Sequence, residues 1–138
     1  MMPLISEEAT SEAIGNLLRE DREIAAWWGT TVECAVAISR LVRDGVFDDN
    51  DEVAARVALS LFADSWTEVG PSYDIRSSAA ILSRDHPLTA ADALQLAAAL
   101  RWCDGDTRGK GFVCLDNRLR RAARDEGFDV LPEVLEVE

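Results

Sequence analysis

At 138 residues the chain has room for one domain, and its 48% hydrophobic and 29% charged residues exclude a disordered protein. The 26 acidic residues against 14 basic ones give a net charge of -12, which argues against a simple basic nucleic-acid binder. It does not exclude an enzyme that approaches phosphates through bound cations. No uncharged run reaches the roughly 18–20 residues of a membrane span, and MMPLISEEATSE lacks the basic and apolar regions of a secretory signal.

In chain order, residues 6–21 predict a helix. Ser6, Thr10 and Ser11 are cap candidates, and Ala13, Ile14, Leu17 and Leu18 recur at helical spacing. The apolar run EIAAWW (23–28) predicts a buried strand. Residues 30–44 predict a helix with Val32, Ala35, Val36, Ser39 and Val42 toward a core and Gly45 as its stop. FDDNDE then caps a helix over 51–64, WTEVG (66–70) reads as a weak strand, and 73–84 as a helix ending before His86-Pro87. TAADALQLAAALRWC is the clearest helix, over 89–102, with alanines suited to close packing on a sheet. GFVCLD (111–116) predicts a strand, 117–127 a helix ending at Gly127, and FDVL (128–131) a last strand. Strands apolar throughout, alternating with helices, indicate an α/β fold with a parallel sheet covered on both faces. Sites in such sheets form beyond the carboxyl ends of strands, where Asp116 lies.

Most of the acids read as surface residues, but three sit in apolar segments: Glu33 in TTVECAVAI, Asp92 in LTAADALQLAAAL, and Asp116 closing FVCLD. A purely structural reading exists for each. Thr30-x-x-Glu33 and Thr89-x-x-Asp92 fit a capping box, and Asp116 fits the N-cap of the helix that follows. As a set, three carboxylates at helix starts beside strand ends would converge on one sheet edge. Clustered carboxylates repel unless a hard divalent cation neutralises them, and Mg²⁺ leaves positions open for water and phosphate oxygens.

The odd number of cysteines (Cys34, Cys103, Cys114) and the lack of a C-x-x-C spacing suggest reduced thiols in a cytoplasmic protein. The single histidine, His86, reads as loop punctuation before Pro87 and argues against a Ser/His/Asp triad. Residues 101–124 hold seven bases against three acids, so a net +4 segment sits inside a chain of -12. Such a segment is either an exposed helix face or an RNA-backbone contact beside Asp116. Trp27, Trp28, Trp66 and Trp102 read as core or dimer contacts.

The segments TTVECAVAISRLVRDG (30–45), HPLTAADALQLAAAL (86–100) and GFVCLDNRLRRAARDEGFDVL (111–131) resemble the PIN-domain ribonucleases, most closely VapC-type toxins of toxin–antitoxin pairs. The resemblance implies a three-layer α/β domain with sheet order 3-2-1-4-5 and Mg²⁺- or Mn²⁺-dependent endoribonuclease activity. It lays Glu33, Asp92 and Asp116 on three of the family's acidic metal positions and Arg40 on its recurrent arginine. Arg40, together with Arg118, Arg121 and Arg124 of the basic segment, is then a candidate RNA contact. A homodimer and a cognate antitoxin that blocks the site are implied as well. Two rivals remain at this level: a catalytically inactive PIN module acting as a binding partner, and a metal-dependent phosphatase or nucleotide hydrolase.

One departure matters. The family begins with a central strand ending in Asp, whereas MMPLISEEATSEA matches the part just after it. The expectation is therefore one PIN-like domain over 1–138, N-terminally truncated relative to the family. It should lack the middle strand and first acid, with two strand edges facing a gap. Glu7 and Glu8 read as helix-start acids, not as a substitute.

Overall fold

The computed structural model describes residues 24–114 and 116–132. The helix expected over 6–21, with Glu7 and Glu8, lies outside the described residues, as does Leu115. Within them the elements are β1 (Ala25–Trp27), α1 (Thr30–Arg43), α2 (Asp49–Ser65), β2 (Thr67–Val69), α3 (Tyr73–Asp85), α4 (Ala90–Trp102), β3 (Gly111–Val113), α5 (Asn117–Asp125) and β4 (Asp129–Leu131). Every element expected over this stretch is present, each within a few residues of its expected bounds.

Local chemistry explains most of these boundaries. At the start of α2 the Asp48 carboxylate accepts from Asp51 N–H (2.8 Å) while that of Asp51 accepts from Asp48 N–H (3.0 Å), a complete capping box. Ser72 caps α3, accepting from Ile75 N–H at 3.2 Å, and the helix ends at His86, which is extended ahead of Pro87. Helix α1 stops at Gly45, whose φ of 76° is open to glycine at little cost. Gly29 makes the turn out of β1, where a Cβ would run into the Trp27 indole nitrogen.

Among the described residues the strands form parallel pairs, as expected of an α/β fold, in two separate two-stranded sheets. Ala25, Ala26 and Trp27 of β1 stand opposite Thr67, Glu68 and Val69 of β2. Gly111, Phe112 and Val113 of β3 stand opposite Asp129, Val130 and Leu131 of β4. Among the described residues no strand joins the pairs. One hydrophobic cluster still unites most of the chain, with Leu96, Ala97 and Ala98 of α4 packed among Ile75, Ala79 and Leu82 of α3 and Phe112, Leu119 and Val130. Helix α4 also packs on β1, so its alanines act as the close-packing surface they promised.

The phase of α1 differs from expectation. Thr30, Cys34 and Ile38 are its buried residues, while Val32 and Val36 are exposed and Ala35, Ser39 and Val42 half-buried. The reason is tertiary. Cys34 and Ile38 form a separate small cluster with Ala55, Phe47 and Leu59, so α2 and its approach select the face that α1 buries. Two tryptophans also depart from a core reading, since Trp28 and Trp102 are about half exposed.

Candidate active site

Three helices start near the carboxyl ends of β1 and β3, and each brings one expected carboxylate. Glu33 lies in the first turn of α1. The capping box expected with Thr30 does not form: Gly29 takes the cap position without a side-chain bond, and Thr30 is already inside the helix. The Glu33 carboxyl is half-buried, and burial, with the nearby negative charge of Asp92, raises it above the usual carboxylate range.

Asp92 lies in the first turn of α4, also half-buried. Thr89 caps this helix by accepting from Asp92 N–H at 3.2 Å, but the reciprocal carboxylate bond is not made. The carboxylate is therefore left for other work. Asp116 does cap α5, its Oδ1 accepting from Leu119 N–H at 3.0 Å, and it is exposed. Its structural role is the one the sequence predicts. Between these acids sits Cys114, fully buried, its thiol donating to the Asp116 carbonyl at 3.5 Å. Burial, with the charges of Asp116 and Asp92 adding to it, pushes that thiol up to about 12, so it is an inert core group.

These influences place the acids toward one end of the fold: the charge of Asp92 reaches Glu33, and those of Asp92 and Asp116 both reach Cys114. Proximity stops short of a ligand cage. Among the described residues no three His, Cys, Asp or Glu side chains stand close enough to hold a metal ion. These carboxylates alone thus do not make a complete metal centre, although their chemistry is that of hard-cation ligands.

The cationic candidates divide. Arg118, Arg121 and Arg124 are exposed on α5, the helix that Asp116 caps. Arg40 is exposed in the last turn of α1, two turns from Glu33, where it complements the helix dipole. Arg120 does not belong to the surface patch. It is buried, donating to the carbonyls of Cys114 (2.9 Å) and Pro132 (2.7 Å), and so ties the end of β3 to the end of β4. Its sequence signal was faint: a helical wheel sets Arg120 roughly 60° from Ala123, at the border of the apolar arc.

His86 is the other missed residue. It is buried and not mere punctuation, with Nε2 2.9 Å from the Glu126 carboxylate and Nδ1 4.0 Å from Asp125. It thereby fastens the end of α3 to the end of α5. Forty residues separate it from Glu126, so no local pattern announces the pair.

No family model matches the chain, and no curated protein matches it. The site therefore rests on its own geometry.

Proposed function

We propose that this domain is a PIN-type endoribonuclease in which Glu33, Asp92 and Asp116 contribute to a Mg²⁺ or Mn²⁺ site that cleaves RNA phosphodiesters. The observation that carries this reading is the placement of Glu33, Asp92 and Asp116 at the starts of three helices, two of which directly follow parallel strands. Two of them, Glu33 and Asp92, have side chains that no cap consumes. A divalent cation would relieve their repulsion and supply activated water and charge neutralisation at the phosphate. The exposed arginines of α5 start beside Asp116 and suit an RNA backbone. The pairs β2-β1 and β3-β4 are also the flanks that a 3-2-1-4-5 order leaves when its middle strand is removed. Protein partners, a second copy or an antitoxin, are supported by the exposed stripe of Val53, Val57 and Leu61 on α2.

A second reading, an inactive PIN module that only binds, is favoured by the lack of a three-ligand group among the described residues. Mn²⁺ titration separates the two. On the first reading Mn²⁺ binds the chain and raises its Tm, and Glu33→Gln or Asp92→Asn each removes that response. RNA binding without any metal response supports the inactive module. Hydrolysis of small phosphate esters in preference to RNA replaces both readings with a phosphatase.

A further inference from the structure

Trp28 is 57% exposed, although tryptophan has the largest apolar side chain that a core can use. Its neighbours account for the exposure. Side chains alternate across a strand, and Trp27 takes the inward position against the main cluster, so Trp28 is turned away from it. The Trp28 backbone is nonetheless fixed, since its N–H donates to Val69 O at 2.9 Å at the end of the β1–β2 ladder. The ring is braced as well: the two indoles stand edge to face, with centroids 6.4 Å apart and planes at 72°. A held aromatic surface, open to solvent, is thus built into the carboxyl end of β1. That is the end at which α/β sheets bind their ligands.

The same turn of chain carries Glu33. Gly29 follows Trp28 directly, and its carbonyl accepts from Glu33 N–H at 3.1 Å, the bond that opens α1. Indole and carboxylate are therefore attached to one short piece of backbone, about one helical turn apart. Gly29 keeps that piece tight, since a Cβ there would come within 2.7 Å of the Trp27 indole nitrogen. Charge then decides what the indole can add. Asp92 brings a second negative charge near Glu33, while the arginines assigned to RNA stand elsewhere, on α5 and in the last turn of α1. A phosphate chain on the Glu33 side gains little from ion pairing before a cation binds. Stacking of a base on an aromatic face needs no charge and tightens binding roughly 5- to 150-fold per base.

We propose that Trp28 is a specificity-determining residue of the ribonuclease, its indole stacking on an unpaired base of the RNA whose phosphate approaches Glu33. This assignment rests on the proposed RNA substrate and narrows its class. A base can stack on a side chain only when it is free of its own helix, so the substrate at this point is single-stranded RNA or a loop. Paired bases of an RNA duplex stay stacked inside it. The contact accepts any base, because each has a π-face, and it does not weaken with salt as the arginine contacts on α5 do.

Binding of a single-stranded RNA of about eight nucleotides, in EDTA so that nothing is cleaved, tests it. A ribose-phosphate chain of the same length without bases is the second probe. Trp28→Ala should weaken RNA binding roughly 5- to 150-fold. Binding of the base-free chain, and the slope of log affinity against log salt, should not change, because no phosphate contact is lost. Trp28→Phe keeps an aromatic face and should retain most of the affinity. In ¹H–¹⁵N spectra of the parent, the indole N–H signal that Trp28→Phe lacks should move with RNA and not with the base-free chain. That readout needs no alanine variant to fold. Parent-like RNA binding by Trp28→Ala overturns the inference, as does an equal loss on the base-free chain or an indole signal that ignores RNA. A change in the sedimentation of Trp28→Ala without RNA overturns it too, by placing Trp28 between two copies of the chain. A parent that binds neither probe also overturns it, while the Mn²⁺ titration decides separately whether the carboxylates hold a metal.

Discussion

Glu33 sits one turn into α1 with a half-buried carboxyl, and burial together with Asp92 makes its proton harder to remove in the folded chain than in the unfolded one. Between the ordinary carboxylate value and the raised one, the folded state holds more protons. Stability therefore falls as pH rises through that window and stays lower above it. Glu33→Gln should raise Tm at pH 7 by roughly 1–3 °C and by less at pH 4, on the usual scale for a domain of this size. A larger gain at pH 4 would mean that the carboxylate is stabilised, not strained, in its site. Arg120 is the opposite case, a charge whose work is structural. Arg120→Met leaves the Cys114 and Pro132 carbonyls without their donors. At about 1–3 kcal/mol for each buried unsatisfied group, the loss should total roughly 2–6 kcal/mol in urea unfolding. Arg121→Ala, by contrast, should stay within roughly 0.5 kcal/mol of the parent. Equal effects of the two substitutions would return Arg120 to the surface patch.

Among the elements, α5 carries two functions on two faces. Leu119, Ala122 and Ala123 bury one face together with Arg120, and Arg118, Arg121 and Arg124 occupy the other. Replacing those three arginines by alanine should weaken RNA binding and reduce the slope of log affinity against log salt by roughly 2, because three fewer phosphates lose their counterions. Filter binding of single-stranded RNA between low and moderate salt reads both quantities. An unchanged slope would hand this face to a protein partner. The α1–α2 hairpin is a different kind of element. Its small cluster of Cys34, Ile38 and Ala55 stands apart from the main core, and Val32, Val36, Val53 and Val57 remain exposed on its outer faces. Among the described residues few buried ones hold it to the rest of the molecule, which suits a surface completed by another chain.

For the whole molecule, the main core binds α3, α4, α5 and both sheets together, yet the sheets share no hydrogen bond among the described residues. Among those residues no helix is long and apolar enough to cross a membrane. Glu33, Asp92 and Asp116 lie toward one end of this core, so Asp92→Asn should abolish Mg²⁺-stimulated cleavage of RNA while the protein stays folded. Fluorescence-quenched RNA substrates and a urea melt of parent and variant measure the two properties together. Near-normal cleavage by the variant, or loss of its fold, would mean that the carboxylate set is wrongly drawn.

The kinds of element and many of their ends were legible from the sequence because their causes lie within about four residues. Asp48 with Asp51, Ser72 with Ile75, Thr89 with Asp92, Asp116 with Leu119 and the stop at Gly45 are all local bonds or local backbone freedom. The helix-start positions of Glu33, Asp92 and Asp116 were legible for a related reason, as charges set in apolar runs. What escaped was decided by residues far apart in the chain. The buried face of α1 waited on α2, His86 on Glu126, and Arg120 on the carbonyl of Pro132. The pairing of the strands is also decided at long range, and a gap between two strand edges was expected only through the family resemblance. Strand propensity shows where the chain extends, but pairing is a bond between distant segments, and only the assembled fold shows which edges are filled.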